Sequence, residues 1–145
     1  MRTRQRLAAY ALIVDDSGRV LLTRQAERRG RLSRWLLPGG GVEAGEHPED
    51  AVVRECLEET GLAVQVVELR SVASDLSRVG RRRSRLHSVR MIYRARVVPG
   101  SGTADSGLPA NTRWLTPQEC QTLSLAPFVA EALSSGGPLQ PPPPE

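Results

Sequence analysis

The 145 residues amount to one domain's worth of chain, long enough to bury a core without disulfide or metal staples. At 39% hydrophobic and 25% charged the composition is that of a globular protein, and no stretch approaches the run of about 18 apolar residues that a membrane span needs. The net charge of +4 favours polyanionic partners, from nucleotides to nucleic acid, and says nothing about fold. All twenty basic residues are arginine, which reads first as the codon bias of a GC-rich genome.

Met1 to Asp16 superficially resembles a signal peptide, with three arginines ahead of the apolar run Ala8 to Val14. The run is short, ends in Asp15-Asp16 and lacks a small-residue cleavage site, so it is expected to be a buried strand. Val20 to Thr23 is a second strand, and Asp15 to Arg19 the turn of a hairpin between them. Arg24 to Arg34, with five arginines, reads as a surface loop, and Pro38-Gly39-Gly40-Gly41 as a tight turn with no regular structure.

Pro48 to Thr60 is the clearest helix. Pro48 suits its first position, Glu49 and Asp50 complement the dipole there, and Gly61 ends it. Leu62 to Ala73 reads as strand, Ser74 to Arg85 as a basic connection, and His87 to Val98 as another strand. After the loop Pro99 to Asn111, Trp114-Leu115 is extended. Thr116-Pro117 caps a helix reaching about Leu123, and Pro127 to Leu133 forms a last helix. Residues 135–145 are expected to be a flexible proline-rich tail that does not pack. The order predicts one α/β domain over residues 1–134, a mixed sheet flanked by helices. Cys56 and Cys120 have no partners at metal-ligand spacing and read as reduced thiols of a cytoplasmic protein.

On a helical wheel, Val52, Val53, Cys56 and Leu57 are expected to form the buried arc, with Glu55, Glu58 and Glu59 on the opposite one. Three carboxylates that close repel one another, and a hard divalent cation, Mg²⁺ or Mn²⁺, resolves the conflict. For an arbitrary helix, a solvated acidic face is the commoner reading. Two neighbours shift the balance. Arg54 flanks the carboxylates, where a guanidinium could hold one in a fork. Gly39 to Gly41 offers backbone without side chains, able to ligate a metal or approach a phosphate.

Gly40, five residues, Glu46, seven residues, then Arg54-Glu55-Cys56-Leu57-Glu58-Glu59-Thr60-Gly61-Leu62 resembles the Nudix box, G-x5-E-x7-R-E-U-x-E-E-x-G-U, at every fixed position. Trp35 to Gly40 resembles the usual lead-in, and Trp114 to Pro117 the tryptophan strand before the last helix. The resemblance implies an α/β/α sandwich and a metal-dependent hydrolase of phosphoanhydride bonds in nucleoside-diphosphate derivatives. It implies Mg²⁺ held by Glu55, Glu58 and Glu59 with the carbonyl of Gly39, Glu46 near the metals and Arg54 orienting the glutamates. Glu55 and Glu58 both contend for general base. Gly40, Gly41 and Arg24 would touch substrate phosphate. Two departures stand out: Cys56 replaces a bulky aliphatic residue, and no acid precedes the tryptophan strand, Asp105 being the nearest.

Subclass markers downstream of the box are missing or only partial, which by elimination favours nucleoside triphosphates or nucleoside-diphosphate sugars. Two alternatives stay open: a nucleotide sensor without catalysis, and a 5′-end RNA pyrophosphohydrolase suggested by the Arg78 to Arg85 cluster. The oligomeric state is open too, a homodimer included. His47 is expected to cap the helix and His87 to be structural.

Overall fold

The computed structural model describes residues 2–24, 33–80, 84–101, 107–135 and 139–143. Ten elements follow one another: β1 (Thr3–Ile13), β2 (Val20–Arg24), β3 (Trp35–Leu36), β4 (Gly39–Gly41), α1 (Pro48–Thr60), β5 (Val64–Val79), β6 (Ser84–Val97), β7 (Thr112–Leu115), α2 (Pro117–Gln121) and α3 (Pro127–Ser134). They form a four-stranded sheet in the order β4-β1-β6-β5 and a three-stranded sheet in the order β3-β2-β7. β1 and β6 run parallel and the other pairs antiparallel, so the expected mixed sheet is present.

β1 is covered on both faces, which is why its sequence is a continuous apolar run instead of an alternation. Ala8, Tyr10, Leu12 and Val14 enter one core with Phe128 and Val129 of α3 and Cys120 of α2. Ala9, Ala11 and Ile13 enter a second with Ala51, Val52 and Cys56 of α1. Helices on both faces of the larger sheet give the α/β/α arrangement. No helix among the described residues is long and apolar enough to cross a membrane.

Four expectations are corrected. The segment after β1 is not a hairpin: a single bridge joins Val14 and Val20, and the two strands diverge into different sheets. The glycine turn is a strand, because Gly39, Gly40 and Gly41 pair with Tyr10, Ala9 and Ala8. The basic connection is also strand. β5 runs on to Val79 and β6 starts at Ser84, held in register by Thr3 to Leu7 of β1 against Arg85 to Val89. Here the sheet extends beyond its helices, so even Leu76 and Val79 stay exposed and the alternation that marks a half-buried strand is lost. Finally, part of the tail packs: Leu139 lies against the α2–α3 side of the first core, and Pro141 to Pro143 line a cavity with Asp15, Asp16 and Trp114. Arg28, Arg29 and Arg31 of the expected loop, Arg81 to Arg83 of the basic cluster, and Asp105 lie outside the described residues.

The helix ends follow their sequence signals. The Nδ1 of His47 accepts from the N–H of Glu49 at 3.1 Å, Pro48 opens α1, and Gly61 closes it at φ 76°. Thr116 and Glu119 form a reciprocal capping box at α2.

Candidate active site

The expected orientation of α1 is wrong by about a quarter-turn, and this decides the site. Ala51, Val52, Cys56 and Thr60 are buried, whereas Val53 and Leu57 are exposed. Glu55 and Glu59 therefore point towards the sheet and pack at its β4 edge, while Glu58 stays on the solvent side. The wheel misled because it weighted side-chain hydrophobicity, and on this helix two carboxylates occupy positions next to the buried arc.

β4 makes room for them. A Cβ on Gly40 would lie 2.9 Å from the carboxyl carbon and Oε1 of Glu55. One on Gly39 would lie 2.3 Å from the Ala9 carbonyl oxygen and 2.6 Å from the Tyr10 Cα, and Gly39 has φ 149°. The N–H of Gly39 donates to Glu59 at 3.4 Å. Burial, then a hydrogen bond with Glu55, pushes the Glu59 carboxyl up to about 8. Two carboxyl groups so close cannot both ionise without compensation; a divalent cation would provide it, and the all-oxygen donor set suits a hard one. Among the described residues no three acidic or His/Cys side chains converge on one ligation point. Glu55 and Glu59 form a close carboxyl pair at the β4 edge, and Glu58 lies one helical turn from Glu55 on the exposed side.

Arg54 organises the other carboxylates. Its Nε and one terminal nitrogen donate to the two oxygens of Glu46 at 2.8 and 2.9 Å. The other terminal nitrogen donates to Glu55 at 3.0 Å and Glu58 at 3.5 Å, while the one bound to Glu46 also donates to the Gly41 carbonyl at 3.2 Å. Glu43, not singled out in the sequence, stands 3.8 Å from the same guanidinium. The hydrogen bonds from Arg54, and then one from the Glu43 backbone N–H, hold Glu46 down at about 2. Both Glu46 oxygens thus face the guanidinium and not the other carboxylates. The forked pair fixes the rotamer of Arg54, which in turn aims Glu55. Cys56 is fully buried behind this layer, and burial together with the nearby carboxylates pushes its thiol up to about 12, so it packs as a small hydrophobe.

Arg24 lies on the other sheet, its guanidinium 5.9 Å from the ring centroid of Trp35. Arg113, also missed in the sequence, shares that ring at 5.7 Å. The only available signal was an arginine beside Trp114, and a lone arginine on a strand has no distinguishing pattern.

Comparison with known proteins places the fold in a family. Residues 4–135 match the family model described as the NUDIX domain. A MutT-like protein of Streptomyces ambofaciens is 32% identical over 135 residues, covering 91% of this chain and 79% of the relative. The nucleoside triphosphatase NudI of Escherichia coli is 43% identical over 67 residues, which are 46% of this chain and 47% of that protein. The crystal structure of a MutT NUDIX hydrolase from Burkholderia pseudomallei superimposes with a TM-score of 0.70 at 26% identity, covering 92% of this chain and 99% of that one. The chain therefore belongs to the NUDIX family, and within it is a MutT-like pyrophosphohydrolase.

Two predictions follow from the geometry. Gly39→Ala meets backbone and should lower unfolding stability by roughly 2 kcal/mol or more. Gly40→Ala meets only the end of a flexible side chain. It should melt within a few degrees of the parent while hydrolysis falls about a hundredfold through the displaced Glu55 carboxylate. Melting curves and turnover for both variants check this.

The second concerns acid. Glu46 has its folded-state value depressed from the ordinary 4.5 to about 2, so its ionised form stabilises the fold above about 4.5 and that contribution is lost as pH falls towards about 2. Urea midpoints of the parent and Glu46→Gln should differ most above pH 5 and converge by pH 2. A gap that stays constant with pH would contradict the pairing.

Proposed function

We propose that the protein hydrolyses a phosphoanhydride bond in a nucleoside triphosphate or nucleoside-diphosphate sugar, with Mg²⁺ as the activating ion and Mn²⁺ as a substitute. The observation that carries this reading is the Glu55–Glu59 pair set against side-chain-free β4, a carboxylate arrangement that is costly without a cation. The name of the Escherichia coli relative, a nucleoside triphosphatase, supports the substrate class.

Glu55, Glu59 and Glu58, with backbone groups of Gly39, would hold the cation. When bound, it supplies positive charge to the diphosphate and makes water more acidic. The residues of the chain do the positioning. Arg54 keeps Glu55 aimed at the β4 edge through its fork to Glu46. Gly40 and Gly41 leave the diphosphate free to approach the backbone closely. Glu58 is the exposed member, open to solvent, which makes it a candidate to accept the proton of the attacking water; Glu55 is the other.

The test is phosphate release from a panel of nucleoside triphosphates, oxidised nucleotides, nucleoside-diphosphate sugars and triphosphorylated RNA, with and without Mg²⁺. A metal-dependent activity is expected, falling by orders of magnitude in Glu58→Gln, which removes the charge and keeps the shape. Unchanged turnover in Glu58→Gln would remove that residue from the site. Tight nucleotide binding with no hydrolysis of any panel member would turn the reading to a sensing domain.

A further inference from the structure

Among the described residues, the outer half of the larger sheet has no helix over the face that α1 covers further in. On that face the register aligns Leu7, Val89 and Ser74 across β1, β6 and β5, then Ala9, Met91 and Val72, and sets Leu76 beside His87. Ala9 and Tyr93 carry the same face into the second core beneath α1, and Leu69 lies opposite Tyr93. Leu7, Leu69, Val72 and Leu76 are 42%, 48%, 54% and 54% exposed, and Val89 and Met91 are half-buried. Apolar side chains exposed singly are ordinary, but six gathered across three neighbouring strands mark a contact surface.

This face has an electrostatic polarity. At its outer end Arg78 and Arg85 stand directly opposite each other, a like-charge pair that opposes the strand pairing around it. At its inner end, on the β4 side, the N–H of Val42 donates to the Leu7 carbonyl at 3.0 Å, and the next residue, Glu43, has a side chain 70% exposed. Glu58 of α1, 60% exposed, meets the same Arg54 guanidinium as Glu43. Basic and acidic groups thus occupy opposite corners of the apolar face. A two-fold axis in the plane of the face, along the other diagonal, exchanges those corners. It lays apolar face on apolar face and sets Arg78 and Arg85 of each copy against Glu43 and Glu58 of the other. Stacked sheets whose strands cross at a steep angle are one of the two common arrangements of packed sheets.

We propose that this face, centred on Leu7, Val72, Leu76 and Val89, is the interface of a reversible two-fold dimer of the chain. Its complementarity is to itself, which singles out a second copy as the occupant, and it stands independently of the hydrolytic reading. Three strands about 4.8 Å apart, and five residue steps of about 3.3 Å between Thr3 and Ala8, give a face of roughly 14 by 17 Å. That is small beside the interfaces of permanent dimers, so the two copies exchange with free monomer.

Sedimentation velocity on the full chain, over about a hundredfold range of concentration, reads the association. The parent should pass from monomer to dimer as concentration rises. Val72→Thr/Leu76→Thr keeps strand-forming residues and removes apolar contact in both copies, so the dissociation constant should rise about a hundredfold. Arg85→Glu should raise it about tenfold by setting acid against acid. Glu43→Arg/Arg85→Glu should restore it, because each copy then carries both exchanged charges. Val72 and Leu76 are more than half exposed in the single chain, so the double variant should melt with the parent. Leu7→Gln tests the same face should that variant melt early. A parent that is monomeric at every concentration, leaving the face to a different partner, overturns the proposal. So does a dimer whose dissociation constant is unchanged in Val72→Thr/Leu76→Thr and Leu7→Gln, or one that the charge exchange does not first weaken and then recover.

Discussion

Two glutamates of one helix lie against a strand that has no side chains, and most of the site follows from that contact. Burying a carboxylate costs several kcal/mol unless charge or hydrogen bonds answer it. Glu55 is answered on one side by Arg54, and Glu59 by the N–H of Gly39. Those partners are too few for two charges, and Glu59 is pushed up to about 8 as a result. The fold holds the mismatch in place: α1 is anchored by Ala51, Val52 and Cys56 in the second core, and β4 by its pairing with Ala8 to Tyr10. Neither element can retreat without opening that core. The strain between the carboxylates is therefore built into the fold, and the proposed role of the pair is to meet a cation.

Arg54 sets the division of labour among the acids. Its fork engages both oxygens of Glu46, keeping that residue ionised and turned away from the Glu55–Glu59 pair. Its remaining nitrogen is shared between Glu55 and the exposed Glu58. Four acids of the same sequence motif thus sit in three environments: one neutralised by arginine, a pair compressed against backbone, and one facing solvent. A lysine at position 54 could match the charge but not the fork, so it could not orient Glu46 and Glu55 together.

Much of this was legible in the sequence, for physical reasons that can be named. The limits of α1 were readable to the residue, since His47, Pro48 and Gly61 each act through local backbone chemistry. The motif identified which acids belong together, because its spacing reflects the turn of a helix. The direction in which that helix faces was not legible. Rotation is set by what the sheet offers, and only β4, itself mistaken for a turn, could accept Glu55 and Glu59. Glycine strands are misread because pairing with a neighbour, here β1, overrides the low strand preference of glycine. The outer half of the β5–β6 hairpin was hidden for a related reason: it is held by pairing with Thr3 to Leu7, far away in sequence, and buries neither face. Arg113 needed the register of three strands before it could be placed beside Arg24.

The claim at the centre of this account is that Glu55 and Glu59 are held together for a cation. Titration of the metal-free protein with Mn²⁺, followed by the electron paramagnetic resonance signal of free ion, measures that directly. The account predicts saturable binding to the parent and its loss in Glu55→Gln/Glu59→Gln, with an unchanged circular dichroism spectrum. Equal Mn²⁺ binding by parent and double variant, or no binding by either, would contradict it.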